Sequence, residues 1–182
     1  EVKRIVEMID ADAVAVHFNA LQEAVQPEGQ TNFKGVLAKI AEIAGAIDQP
    51  VIVKETGAGI SAEDAKALEK AGVKAIDIGG VGGTSFAAVE HYRAPKKDGE
   101  TQQFIGEALW DWGIPTAVSL IESAQSVKLP LIASGGVRSG TDIAKALALN
   151  ASLASLVQPI LQTAIKGTKE TEQKLSNLID EL

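Results

Sequence analysis

The sequence predicts a parallel α/β sheet assembled from five strand–helix units, and three observations predict it. Short apolar runs (Ala13-Val14-Ala15-Val16, Val51-Ile52-Val53, Ala75-Ile76-Asp77-Ile78 and Leu131-Ile132-Ala133) are continuous rather than alternating, as in strands buried on both faces. Helix-length segments separate them, so units of about 30 residues repeat, which calls for a parallel sheet with right-handed crossovers. Each run ends in a polar or glycine-rich stretch, and the carboxyl ends of parallel strands are where such proteins build their sites. Five units fit either an open doubly wound sheet or part of a (β/α)8 barrel. A full barrel takes about 250 residues, so this chain is short of one by about three units.

The elements follow in order. Val2, Ile5, Val6 and Ile9 recur at helical spacing and lead into a strand at 13–17. A polar loop and a helix at 33–47 precede the strand at 50–54. Ser61 with Asp64 three residues on is a capping-box-like start for a helix at 61–71, which Gly72 closes. A strand at 74–78 is followed by the glycine loop 79–83 and a helix at 84–92. The polar stretch Pro95 to Thr101 is the best candidate for a mobile loop. Helical segments at 101–111 and 116–127 precede a strand at 130–134, a helix at 140–149 and a short strand at 153–157. Pro159 breaks that strand, and helical segments run to the end.

Length alone makes residues 1–182 a single domain with a real core. A net charge of -7 argues against a general nucleic-acid or anionic-membrane binder. No apolar run approaches the roughly 18 residues of a membrane span, and the start does not resemble a signal peptide. Cysteine is absent, which excludes disulfides, thiol catalysis and cysteine-ligated metal and fits a reducing cytosol. Two histidines, His17 and His91, are too few for a His-rich metal site. Glu1 and the ending Asp180-Glu181-Leu182 read as the ends of a piece cut from something longer.

Four stretches carry chemistry. Ser134-Gly135-Gly136-Val137-Arg138 follows a strand and opens a helix, so backbone amides and the helix dipole suit a phosphate, with Arg138 adding charge. Gly79-Gly80-Val81-Gly82-Gly83-Thr84-Ser85 offers amides and the Thr84 hydroxyl, but its spacing fits neither the dinucleotide fingerprint nor a Walker A loop. A plain tight turn explains it nearly as well. Lys54 ends a strand, where it holds a negative ring atom, forms a Schiff base, or pairs with Glu55 or Glu23. Gln22, Glu23 and Glu28 are acid-base and metal candidates, one carboxylate plus ligand phosphate oxygens being a common Mg2+ arrangement. Trp110 and Trp112 read as packing residues, and His91 and Arg93 as solvated.

Together these residues resemble the type 2 isopentenyl-diphosphate isomerases, particularly the archaeal ones, which are FMN-dependent (β/α)8 barrels. HFNALQEAVQPEG, VIVKETGAGIS, AIDIGGVGGTSFAAVEHYRA, WGIPTA and ASGGVRSGTDIAKALAL match in the right order over nearly the whole chain. The resemblance implies a barrel of which strands four to eight are present, the first three having no counterpart. It implies that Gln22 contacts the substrate near its alkene and that Glu23 binds Mg2+ at the diphosphate. His17 and Asn19 line the same pocket, and Lys54 lies on the flavin ring. Thr84 contacts the flavin, Gly135, Gly136, Val137 and Arg138 hold the FMN phosphate, and Val157 and Gln158 touch the cofactor from the last strand. The sequence departs from the family at Val157-Gln158 (usually Ala-Leu), at Gly79 (a hydroxyl in some members), at Phe86 (a tryptophan) and at Asn150 (a glycine).

The family shifts a double bond between isopentenyl and dimethylallyl diphosphate, with FMN kept reduced by NAD(P)H. The resemblance therefore implies an enzyme of isoprenoid biosynthesis, cytoplasmic and homo-oligomeric, using FMN, Mg2+ and NADPH, with Gln22 and Lys54 catalytic. Two other readings stand beside it. A 2-hydroxyacid oxidoreductase on the same barrel needs a catalytic histidine where this chain has Gly79 to Gly83. A partial barrel that folds and associates without chemistry of its own is the third.

Overall fold

The structure is a computed structural model that describes residues 1–95 and 99–182. A helix α1 (Val2–Ile9) leads into β1 (Val14–His17), then α2 (Ala20–Val25), α3 (Val36–Ala46), β2 (Val51–Lys54) and α4 (Ala62–Lys70). The order continues β3 (Ala75–Asp77), α5 (Phe86–Arg93), α6 (Glu100–Ala108), α7 (Thr116–Ser126), β4 (Leu131–Ala133) and α8 (Gly140–Ala148). It closes with β5 (Leu153–Ala154), α9 (Gln158–Ala164) and α10 (Thr168–Asp180). The expected mobile loop at 95–101 falls partly outside the described residues, and its end, Glu100 and Thr101, begins α6. No helix among the described residues is long and apolar enough to cross a membrane.

The strands form one parallel sheet in the order β1-β2-β3-β4-β5. Strict sequential order decides between the two architectures. Crossovers of one hand that always step the same way leave every helix on the same face, as in a barrel, whereas a doubly wound sheet reverses direction and is covered on both. The register makes the consequence visible. Val53, Ile76 and Leu131 share a row and are buried under the helices with Ile60, Leu68, Ile78 and Leu120. The opposite row, His17, Lys54, Asp77, Ile132 and Leu153, is partly or fully exposed. The expectation of strands buried on both faces is corrected here: the concave face is only half covered.

Local chemistry fixes the ends of the elements. Ser61 Oγ accepts the Asp64 N–H at the start of α4, as its spacing predicts. At the other end Gly72 adopts φ +89, with Gly72 N–H donating to Glu69 O and Val73 N–H to Leu68 O, a Schellman closure. Asn150 does the same for α8 at φ 71, with Asn150 N–H on Leu147 O and Ala151 N–H on Ala146 O. The helix expected at 33–47 begins at Val36, and the strand expected at 153–157 is two residues long, because Ser155 N–H makes the last ladder bond and Val157 already caps α9. Helix α2 lies inside the segment expected to be a loop. Its apolar signal is only Leu21 and Val25, one turn apart, with Val25 fully buried.

Candidate functional site

A cavity of about 620 Å³ opens at the carboxyl ends of the strands. His17, Lys54 and Asp77 stand side by side in register on its floor, and Ser134, Ser155, Val157 and Gln158 line it from β4 and β5. Lys54 Nζ donates to the Glu55 carbonyl at 3.0 Å, and it makes no ion pair with Glu55 or Glu23. Asp77 accepts from the Ser134 hydroxyl, which in turn accepts the Gly79 N–H at 2.9 Å, so β3 and β4 are tied together at the cavity wall. Loss of solvent around His17 and then the charge of Lys54 hold the imidazole below its ordinary value, with Glu23 opposing.

The two glycine loops meet across the cavity rim. Thr116 at the start of α7 donates its N–H to Val81 O at 3.0 Å and its hydroxyl to Gly135 O at 2.6 Å. Arg138 donates to Gly136 O at 3.0 Å and Gly82 O at 2.9 Å. Side chains have no room at the contact: a Cβ on Gly83 would lie 2.9 Å from Gly136 N, and one on Gly80 2.6 Å from Thr116 Oγ1. Among the described residues, the N–H groups of Gly83, Thr84, Gly135, Gly136 and Val137 have no protein acceptor, although all five residues line the cavity. The start of α8 is different. Arg138 N–H donates to Asp142, which this bond holds below the usual carboxylate range, and Gly140 N–H donates to Glu181 at 2.7 Å. Carboxylates of the chain thus already occupy that helix end, so the free donors belong to the loops and not to the helix.

The polar face of α2 stands at the rim. Asn19, Gln22 and Glu23 do not line the main cavity; Gln22 lines a small adjoining hollow with Phe86 and Thr56, both of which also line the cavity. Gln22 Nε2 donates to Glu90 Oε1 at 2.8 Å. Glu90 is fully buried and is balanced by Arg93 at 2.6 Å, and Arg93 also pairs with Glu28 at 2.9 Å. Arg93 is therefore an ion-pair partner rather than a solvated side chain, and Glu28 is committed to it. Glu23 accepts the Gln30 N–H at 2.6 Å and the Asn19 amide at 3.1 Å, and the Gln30 bond is the main reason its carboxyl lies below the ordinary value.

Sequence reasoning missed Asp77, Glu90 and Thr116, and it named Glu55 only as a partner for Lys54 and Ser134 only as the first residue of its glycine loop. Glu55 is buried, and its Oε2 accepts the N–H groups of Thr56, Gly57 and Ala58 at 2.5 Å and of Gly59 at 3.2 Å. Burial pushes its carboxyl up against the pull of those four amides. The one signal for it was a charged residue directly after an apolar strand. His91 is likewise not simply solvated: its ring contacts Gln103 O at 2.7 Å and packs edge-on against Tyr92 and Trp110. Trp110 packs as expected, while Trp112 is largely exposed.

Known proteins place this geometry in a family. The isopentenyl-diphosphate delta-isomerase of Methanosarcina acetivorans is 56% identical over 99% of this chain, which covers 49% of that protein. The isopentenyl-diphosphate delta-isomerase of Pyrococcus furiosus is 56% identical over 93% of this chain, which covers 42% of it. The chain thus spans about half the length of the curated relatives it matches. An active mutant of (S)-mandelate dehydrogenase shares the fold, at a TM-score of 0.56 and 20% identity, over 85% of this chain and 35% of that one. The family model for FMN-dependent dehydrogenases matches residues 9–182, and with the parallel sequential sheet and its cavity this shows that the chain belongs to the FMN-dependent dehydrogenase family, as part of a (β/α) barrel.

Proposed function

We propose that this chain forms the flavin- and substrate-facing part of an isopentenyl-diphosphate isomerase. The observation that carries the reading is the set of five amides, of Gly83, Thr84, Gly135, Gly136 and Val137, that line the cavity without an acceptor among the described residues, with Lys54 on its floor. Amides of this kind suit a phosphate monoester, and a lysine suits the electron-rich edge of a flavin ring. The chain therefore fits FMN, with Val157 and Gln158 closing the far side. Reduced FMN supplies an electron-rich face and an exchangeable proton for moving a double bond. NADPH is the reductant in this reading, and the protein is a cytoplasmic homo-oligomer.

The side chains would act as follows. Lys54 holds a positive charge under the ring. Gln22 has no useful pKa and orients or relays, and its bond to the buried Glu90 fixes the direction of its amide. His17 is held toward its neutral form and lines the substrate space with Asn19 beside it. Glu23 supplies one carboxylate toward Mg2+. Both its oxygens already accept N–H groups, and no cluster of three His, Asp or Glu exists among the described residues, so the remaining ligands are the diphosphate's own oxygens. The barrel oxidoreductase reading lacks its histidine: the end of β3 carries Asp77, then Ile78 and the glycines from Gly79.

A fluorescence titration of the chain with FMN tests this directly. Saturable quenching that weakens in Lys54→Ala and Arg138→Ala supports the reading, and absence of binding by a folded chain overturns it. In the protein of full length, Gln22→Ala is expected to cut isomerisation about a hundredfold or more while FMN stays bound.

A further inference from the structure

Thr116 lies outside the cavity lining, yet it touches both glycine loops at once. Its backbone N–H holds the carbonyl of Val81, and its hydroxyl holds the carbonyl of Gly135. The hydroxyl also lies 3.3 Å from Val81 O and 3.4 Å from Ser134 O, but it has one proton, and Gly135 O at 2.6 Å is the nearest acceptor. A trans peptide is planar, so its C=O and N–H point in opposite directions. Drawing the Gly135 carbonyl toward Thr116 therefore turns the Gly136 N–H away from Thr116, and drawing in the Val81 carbonyl does the same for Gly82. Neither N–H has a protein acceptor among the described residues. Arg138 acts alike on the neighbouring planes, since its bonds to Gly136 O and Gly82 O turn the N–H groups of Val137 and Gly83.

Glycine makes this pinning necessary. Gly82, Gly135 and Gly136 have φ of 155, 100 and 80, and without a Cβ such peptides flip at low cost. Two loops so free would offer a disordered field of dipoles unless something outside them fixed each plane.

We propose that Thr116 is the positioning residue of the anion site: its hydroxyl aligns the Gly135–Gly136 peptide so that the two glycine loops present their N–H groups to the phosphate of the ligand. The inference rests on the reading of this cavity as an FMN site. It differs from a general scaffold role because only the phosphate end of the ligand feels it.

The test compares FMN with riboflavin, which has the same ring and no phosphate, on the chain and on Thr116→Val and Thr116→Ser. Valine keeps the shape and removes the hydroxyl; serine restores it. Thr116→Val is expected to weaken FMN binding about five- to tenfold, the worth of one lost hydrogen bond, and to leave riboflavin binding within about twofold. Thr116→Ser is expected to bind FMN as the unsubstituted chain does. NMR order parameters of the free chain should fall at Gly136 in the valine variant and not in the serine variant. Equal weakening of both flavins, or an unchanged Gly136 amide, overturns the inference while leaving the flavin site intact. An unsubstituted chain that binds FMN no better than riboflavin overturns the phosphate reading itself, and this inference falls with it. If the valine variant does not fold, Thr116→Ala carries the same expectations.

Discussion

His17 and Lys54 are register partners on neighbouring strands, and their closeness has a measurable effect. Desolvation and the lysine charge both favour neutral imidazole. A histidine so shifted adds stability above its ordinary value and loses it as pH falls. Lys54→Met removes the charge, so the His17 midpoint read by NMR is expected to rise toward 6.5. A midpoint that does not move would show that Lys54 is not felt at the ring. The same pair bears on function, because holding His17 toward neutral imidazole leaves Lys54 as the cationic group on the cavity floor, beside Asp77. Glu90 makes the complementary point at this scale. A fully buried carboxylate persists only when paired and hydrogen-bonded, and Arg93 and Gln22 supply one partner for each oxygen.

Among the elements, α8 depends on a left-handed closing residue. Asn150 stands at φ 71, a conformation that costs most side chains about 1 kcal/mol and asparagine less. Asn150→Ala is expected to lower stability by about 1 kcal/mol, and Asn150→Gly to leave it equal or slightly higher, both read by urea unfolding. Closures of this kind were legible in the sequence: Gly72 and the Ser61–Asp64 cap are short-range patterns, and so are the apolar runs that became β1 to β4. Helix α2 was hidden because two apolar residues among Gln and Glu carry almost no periodicity, and tertiary packing of Val25 decides it. The site was legible in part. Lys54, His17 and the glycine loops follow strand ends and can be found there. Glu90, Asp77 and Thr116 act through partners 68, 57 and 19 residues away, and no local pattern encodes such pairings.

For the molecule as a whole, surface is the informative quantity. The chain exposes 10980 Å² at a mass of 19.0 kDa. A compact monomer of that mass exposes about 8,400 Å², so the excess is about 2,600 Å², the size of an obligate interface. Its character is partly apolar: Ile5, Met8 and Ile9 of α1, Leu153 of the edge strand β5 and Leu161 of α9 are all exposed, beside the half-covered concave face. Sedimentation velocity is expected to show concentration-dependent self-association of the chain, and a single sharp monomer across a hundredfold range of concentration would contradict this. The buried Glu55 carboxylate has one more effect at this scale. By filling the ring of amides after β2 with its own oxygen, it silences that side of the mouth toward anions, while the N–H groups of Gly83, Thr84, Gly135, Gly136 and Val137 have no acceptor among the described residues. The mouth is therefore polarised, and a ligand with a single anionic tail is expected to seat that tail on the side of the two glycine loops.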